Sequence, residues 1–343
     1  ALPAGYQEER MEKRKALAIV VAGYFIFSVI IFISLIHFKG QNSTLTQIVY
    51  AAVFLMGVIG SLGVGASFAM FSNIIPKEKI AEYSAWNSYS WQIGAVVGPL
   101  IGCFFFDNFG VEISFGIVAF LLLIALISIF QLPKYESQLY DKFSINDTII
   151  KIKEGLNYVL SNRVMLWAIT LDLFAVLFGG CVALLPIFAK DILMVGVSGY
   201  GVLKIAMPLG AAITMLFLAR KPIRQHTGKW LIIFVGLFGL ATLGFALSTS
   251  FYISLVLLFL MGAFDAVSVV IRGAILMLET PDHMRARVTS VNSMFISSSN
   301  EIGAFESGFA AQIMGTVRSV LFGGSMTLLF VTIAWNKAKA LKD

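Results

Sequence analysis

Four carboxylic acids lie inside apolar stretches of this 343-residue chain, and their position suits them to binding protons. They are Asp172, Asp265, Glu301 and Glu306. A charged carboxylate is costly in an apolar environment, so such an acid can take up and release a proton as its surroundings change. Two interpretations of each acid remain open. It is either a proton-binding or cargo-binding group, or a neutral acid hydrogen-bonded to a neighbouring helix.

Other polar residues share helix faces with these acids. Arg272 follows Asp265 by seven residues, which on a helix places both on one side, about 10 Å apart. Arg272 could pair with an acid in a cavity or extend its side chain to the membrane surface, and we favour the second. One further stripe, expected to face a cavity or the other half of the protein, has spacings of 7, 4 and 3: Asn292, Ser299, Gly303 and Glu306.

The sequence contains no pattern typical of an enzyme or a metal site. The three histidines, His37, His226 and His283, are far apart in the chain. There is no G-x-x-x-x-G-K-[ST] loop, which argues against direct use of ATP. The two cysteines, Cys103 and Cys181, lie in apolar runs and do not indicate a disulfide scaffold. We therefore expect no cofactor, no metal and no enzymatic activity.

The composition indicates a membrane protein. Hydrophobic residues make up 58% of the chain and charged residues 13%, about half the share of a soluble domain. This composition excludes a water-soluble enzyme and a disordered tail. The net charge of +6 resides in short segments between apolar runs. It is better explained by membrane topology than by nucleic acid, so no nucleic-acid partner is expected.

Ten apolar segments are long enough to cross a bilayer as helices. They are 16–36, 47–72, 83–106, 113–132, 164–189, 200–219, 230–249, 251–277, 288–314 and 319–336. The loops of one set carry 20 Lys and Arg residues, and those of the alternate set carry 3. Since basic loops remain on the cytoplasmic side, both termini are predicted to be cytoplasmic.

An internal repeat is indicated by two similar segments 205 positions apart. Residues 76–88 read PKEKIAEYSAWNS, and residues 281–293 read PDHMRARVTSVNS. At this offset, the later half has two spans without counterparts in the earlier half. We expect a twelve-helix protein whose first two helices are absent from this sequence, with a true ten-helix protein as the alternative.

Two short motifs resemble those of the major facilitator superfamily. The segment GYQEERMEKRK is similar to the G-x-x-x-D-R-x-x-R-R loop of that family at Gly5, Arg10, Lys13 and Arg14, with Glu9 replacing the family's Asp. The resemblance implies a gating loop that clamps helix ends, although a simple cytoplasmic anchor explains the charges equally well. The other motif resembles the G-x-x-x-G-P-x-x-G element of its proton-coupled antiporters, and comprises Gly94, Gly98, Pro99 and Gly102.

Longer segments resemble one branch of the superfamily, which includes the enterobactin exporter and macrolide efflux permeases. They are 171–193, 261–276 and 280–308. The element containing Gly94 departs from the family pattern at Ala85, where an upstream glycine is usual. Glycines four apart on a helix let a neighbouring backbone approach closely, so we expect close packing at Gly94 and Gly98.

The resemblance implies an all-α membrane protein with the major facilitator fold. We expect an incomplete N-terminal bundle (1–132, helices 3–6 of the family pattern), a cytoplasmic linker with an amphipathic helix (133–163) and a C-terminal six-helix bundle (164–343). The implied function is export of a drug-like compound or siderophore by proton antiport across a bacterial inner membrane. The implied partners are small-molecule cargo, protons and the lipid bilayer, and the expected state is monomeric. The alternatives are a lipid or lysophospholipid flippase, a non-transporting scaffold, or an inactive fragment.

Overall fold

The described residues of this chain form helices joined by short connections. A computed structural model describes residues 13–38, 42–74, 80–132, 145–221, 223, 225–281, 284–338 and 341. The helices are α1 (Lys13–His37), α2 (Asn42–Ile74), α3 (Ile80–Phe130), α4 (Ile145–Ser161), α5 (Arg163–Phe178), α6 (Cys181–Ile187), α7 (Gly196–Arg220), α8 (Thr227–Leu247), α9 (Phe251–Glu279), α10 (Arg285–Met314) and α11 (Thr316–Lys337). A π-helical turn, Phe188–Ile192, follows α6. Within these residues the all-α prediction is confirmed.

Eight helical segments of the described chain are long and apolar enough to cross a membrane. This number differs from the predicted ten at two places. The spans predicted at 83–106 and 113–132 lie in the one long helix α3, and α10 is too polar to qualify by hydropathy alone. The count of ten therefore stays a prediction, while the multi-pass character of the chain is clear.

The helices divide into two compact units. The first comprises residues 1–91 and 101–145, and the second residues 92–100 and 146–343. In the first unit, α1 packs against α2, where Gly23 contacts the side chain of Ile59 and Gly60 lies against the Tyr24 hydroxyl. Large apolar side chains such as Phe54 and Phe120 are exposed, as expected of residues that face lipid.

The second unit contains the extensive core. Its helix α9 packs against both α7 and α8, and α11 packs against α8 and α5. Phe188, Phe245 and Met261 are fully buried in one cluster, while Leu231 and Ala334 are fully buried in another. Close helix approach is possible at Gly210, whose position places the carbonyl of a residue in α9 in direct contact. These contacts hold α5 and α9, the helices that carry Asp172 and Asp265, beside one another.

Backbone features also recur at the offset of 205. The ends of α2 and α9 are Ile74 and Glu279, and the starts of α3 and α10 are Ile80 and Arg285. The chain adopts an unusual conformation at Gly110 (φ 84°, ψ 170°) and at Gly315 (φ 89°, ψ 154°), which are again 205 positions apart. Gly110 interrupts α3, and Gly315 separates α10 from α11. These matches support an internal repeat.

Alanine at Gly110 or Gly315 is expected to lower the free energy of unfolding by about 1–3 kcal/mol, because this backbone region is essentially restricted to glycine. Gly308→Ala in α10 provides a matched control, since Gly308 has a helical backbone and open space around it. The control should be neutral or stabilise by up to about 1 kcal/mol. Thermal unfolding in detergent would measure all three variants, and equal stabilities would contradict the prediction.

The segment before α5 contains the short helix α4. Asn162 separates the two helices and caps α5, since its side-chain oxygen accepts hydrogen bonds from the backbone amides of Val164 and Met165. The Asn162 amide nitrogen also donates to Glu279 Oε2 at 2.9 Å, at the end of α9. The remainder of the predicted linker, residues 133–144, lies outside the described residues.

Candidate functional site

An ion pair joins two helices in the middle of the second unit. Arg272 Nη1 of α9 contacts Asp172 Oδ1 of α5, and both side chains are buried, with exposed fractions of 5% and 8%. Two opposite charges removed from water are tolerable only when each compensates the other. This pair therefore links α5 and α9 electrostatically at a depth where an unpaired charge would be costly.

Small residues allow the two helices to approach. Ala168 and Ala175 lie one turn before and about one turn after Asp172, and both are buried. On α9, Ser268 lies one turn before Arg272 and is also buried. Among the described residues the Ser268 hydroxyl has no hydrogen-bond partner, which is unusual for a buried polar atom. Ser268 was not singled out in the sequence, although its spacing of 3 from Asp265 and 4 from Arg272 marks the same face.

The prediction that the Arg272 side chain extends to the membrane surface was wrong. An arginine can reach the membrane surface only when its stem runs along the outside of the protein. Arg272 instead points into the unit, where Asp172 supplies the opposite charge. The alternative interpretation of Arg272, pairing with a buried acid, describes the structure.

Asp265 differs from Asp172 in its surroundings. It lies seven residues before Arg272 on α9 and is half-buried. Within the described part of the chain, its carboxylate has no hydrogen-bond or ion-pair partner. The charge of Asp172 is thus compensated by Arg272. Asp265 has no compensating group among the described residues.

Neither glutamate contacts this ion pair. Glu301 is exposed on α10, and no described residue pairs with it. Glu306 is half-buried, and the Ser307 hydroxyl lies 3.5 Å from its Oε2 atom. Asn292 is half-buried near the start of α10. The structure therefore assembles Asp172, Arg272 and the α9 face, and leaves the predicted α10 residues apart from them.

Part of the polar stripe of α10 packs within its own unit. Ser299 and Gly303, which were expected to face a cavity or the other half of the protein, are both buried. A side chain at Gly303 would lie within 3 Å of the Val176 and Leu177 carbonyl oxygens of α5. The Ser299 hydroxyl donates to the Phe295 carbonyl of its own helix at 2.5 Å. These small residues serve close packing of α10 on α5.

The predicted span 164–189, which contains Asp172, is interrupted near its middle. α5 ends at Phe178, and the chain passes through Gly179 and Gly180 before α6 begins. A side chain at Gly180 would overlap Ser307 of α10, so the interruption lies directly against that helix. A π-helical turn that includes Lys190 and Asp191 follows. Sequence reasoning treated 164–189 as one span, and the paired glycines were the signal for the interruption.

Only part of the predicted gating loop can be placed. Gly5, Glu9 and Arg10 lie outside the described residues, and α1 begins at Lys13. Arg14 Nη1 donates to the Leu132 carbonyl at 3.1 Å and lies 3.4 Å from the Phe130 carbonyl. A guanidinium at this position satisfies carbonyls at the C-terminal end of α3 and interacts favourably with the helix dipole. Within the first unit, Arg14 thus connects two helix ends.

The glycine motif does not pack as expected. A side chain added at Gly94, Gly98 or Gly102 would meet nothing within 4 Å among the described residues. α3 continues through Pro99, and its interruption lies at Gly110. The expected close packing of a neighbouring backbone at these glycines is therefore not made by any described residue.

Comparison with known sequences finds relatives of this chain among membrane transporters. A profile of the Major Facilitator Superfamily matches residues 1–304. The enterobactin exporter EntS of Shigella flexneri is 26% identical over 297 residues, which cover 82% of this chain and 68% of that protein. EntS of Salmonella choleraesuis (strain SC-B67) is 24% identical over 288 residues, with the same shares of each chain covered.

Solved structures show the same fold at low sequence identity. A D-xylose-proton symporter superposes with a TM-score of 0.71 at 15% identity, covering 97% of this chain and 82% of that one. A bacterial homologue of the iron transporter ferroportin, in an outward-facing state, superposes with a TM-score of 0.55 at 18% identity, covering 98% and 86%.

Proposed function

The chain belongs to the major facilitator superfamily, and from this premise we propose that it exports a small molecule by proton antiport. The resemblance identified in the sequence is thereby confirmed at the level of the family and of a branch with exporter relatives. The proposed cargo is a siderophore or a drug-like compound. The proposed location is a bacterial inner membrane, with both termini in the cytoplasm.

The contrast between Asp172 and Asp265 carries the proposal. An antiporter needs a group that is charged when the site faces one side of the membrane and neutral when it faces the other. Asp172 is held by Arg272, so its charge is compensated without a proton. Asp265 has no such partner among the described residues, so a proton or a cationic cargo can neutralise it. Two halves that rock about a central site would then expose Asp265 alternately to each side.

The names of the relatives and the chemistry of this site support the proposed cargo class. Two relatives are named as exporters of enterobactin, a siderophore. At 24–26% identity such names suggest a cargo class for this chain and do not fix the molecule. The half-buried Asp265 of α9 offers an acceptor for a polar or cationic group of the cargo.

Transport by the full-length protein in vesicles tests the proposal. A catecholate siderophore or a fluorescent drug should move against its gradient when the pH differs across the membrane, and added cargo should release or consume protons. A protonophore should abolish accumulation, and protein-free vesicles serve as the control. Movement of lysophospholipid alone would instead indicate the flippase alternative. Cargo accumulation that persists with the protonophore would contradict proton coupling.

A further inference from the structure

A groove with almost wholly apolar walls lies between α4, α5 and α10 of the second unit. Its volume is about 380 Å³, within the range of small-molecule sites. The lining comprises Ile152 and Leu156 of α4, Leu173 and Leu177 of α5, and several residues of α10 including Met294 and Ile302. None of the residues assigned above to proton binding lines it, so its role is separate from the proposed proton site.

The groove is elongated along α10. Its lining on that helix extends from Val291 to Ile302, which corresponds to about 16 Å at the rise of an α-helix. Two serines, Ser298 and Ser299, are the polar residues of the lining, and the Ser299 hydroxyl already donates to the Phe295 carbonyl. A ligand with polar groups along its length would lose hydrogen bonds here without replacement. A linear hydrocarbon would not.

One end of the groove is charged. α4 packs on the start of α10 at Gly155, where the Arg287 carbonyl and the Val291 side chain lie close. Beside this contact, Arg287 Nη1 binds Glu154 Oε2 at 2.6 Å, and both side chains remain partly exposed, at 34% and 47%. Among the described side chains of α4 and the first turn of α10, three are basic, Lys153, Arg285 and Arg287, and one is acidic, Glu154.

We propose that this groove binds one acyl chain of an anionic membrane phospholipid. The acyl chain of the lipid lies along α10 between Val291 and Ile302, and its headgroup lies at the contact of α4 with α10. A lipid tail passes from one apolar environment to another when it enters the groove, so van der Waals contact with the apolar walls holds it and no hydrogen bond is lost. The basic excess at this end, to which the exposed Lys153 contributes beside the Arg287–Glu154 pair, favours a negative headgroup. The lipid holds α4, the helix preceding α5, against the transmembrane helices.

Photo-crosslinking of the full-length protein tests this lipid site. The protein is placed in phosphatidylcholine vesicles that contain a phosphatidylglycerol probe with a diazirine in its acyl chain, and labelled residues are located by mass spectrometry. Labelling should concentrate on Met294 and its neighbours in the groove. Ile302→Trp should reduce that labelling severalfold by filling the groove. Ile313→Trp is the matched control, since Ile313 is an exposed isoleucine of the same helix outside the lining, and it should change nothing.

The headgroup requires a second comparison. A phosphatidylcholine probe with the same diazirine chain should label the groove more weakly, and Lys153→Gln should reduce the difference between the two probes. Labelling spread over all exposed apolar side chains would overturn the site, because it would report only surrounding lipid. Equal labelling by both probes of the unmodified protein would overturn the anionic headgroup. Crosslinks from Met294 to another polypeptide segment would overturn lipid as the occupant.

Discussion

Arg272→Gln is expected to destabilise the protein by about 3–5 kcal/mol, since it leaves the Asp172 carboxylate buried without its opposite charge. Asp172→Asn should have an effect of the same sign, because it leaves a buried guanidinium uncompensated. The free energy of unfolding in mild detergent measures the loss, and the amount of protein that remains monodisperse after extraction gives an independent reading.

The neutral double variant separates charge from packing. Asp172→Asn combined with Arg272→Gln removes both charges and keeps similar shapes, so it should recover most of the lost stability. Arg220→Gln serves as the control, because Arg220 is an exposed arginine at the end of α7. A double variant as unstable as the sum of the two single ones would show that the side chains act independently and that the ion pair has no stabilising role.

The helical architecture could be predicted because it depends on local properties of the chain. Apolar segments of about 20 residues predict helices wherever lipid is the solvent, and the structure has helices at all of the predicted segments. The interruption at Gly110 falls between the predicted spans 83–106 and 113–132. Hydropathy cannot distinguish a loop from a single residue with non-helical backbone, so two separate spans stay a prediction, and α3 has no extended loop at this place.

The ion pair could not be predicted, because its partners are one hundred positions apart in the sequence. Spacing along α9 placed Arg272 on the face of Asp265, but only the packing of α5 against α9 shows that Asp172 is the partner. The contact that the serine and glycine stripe of α10 makes with α5 could not be predicted for a related reason. Small polar residues can line a cavity or allow two helices to touch, and the sequence alone does not distinguish these uses.

The pairing of Asp172 with Arg272 also changes how transport variants must be interpreted. Both aspartates fit the sequence description of a proton-binding acid. If Asp172→Asn destabilises the contact of α5 with α9, its loss of transport reports structural damage in addition to any loss of a proton site. Asp265 has no described partner to disrupt, so substitution there provides the more direct test of proton coupling.

Asp265→Asn is expected to reduce export driven by a pH gradient to the level of protein-free vesicles. Asparagine keeps the size of the side chain and much of its hydrogen bonding but cannot titrate, so the energy of the gradient no longer reaches the cargo. Exchange of cargo without a gradient should survive, because it requires no net proton movement. Both activities are measured in vesicles with matched amounts of full-length protein. Glu301→Gln, which neutralises an exposed acid of α10, should leave both unchanged. Full gradient-driven export by Asp265→Asn would show that Asp265 does not carry the proton, and Glu306 would become the candidate to test next.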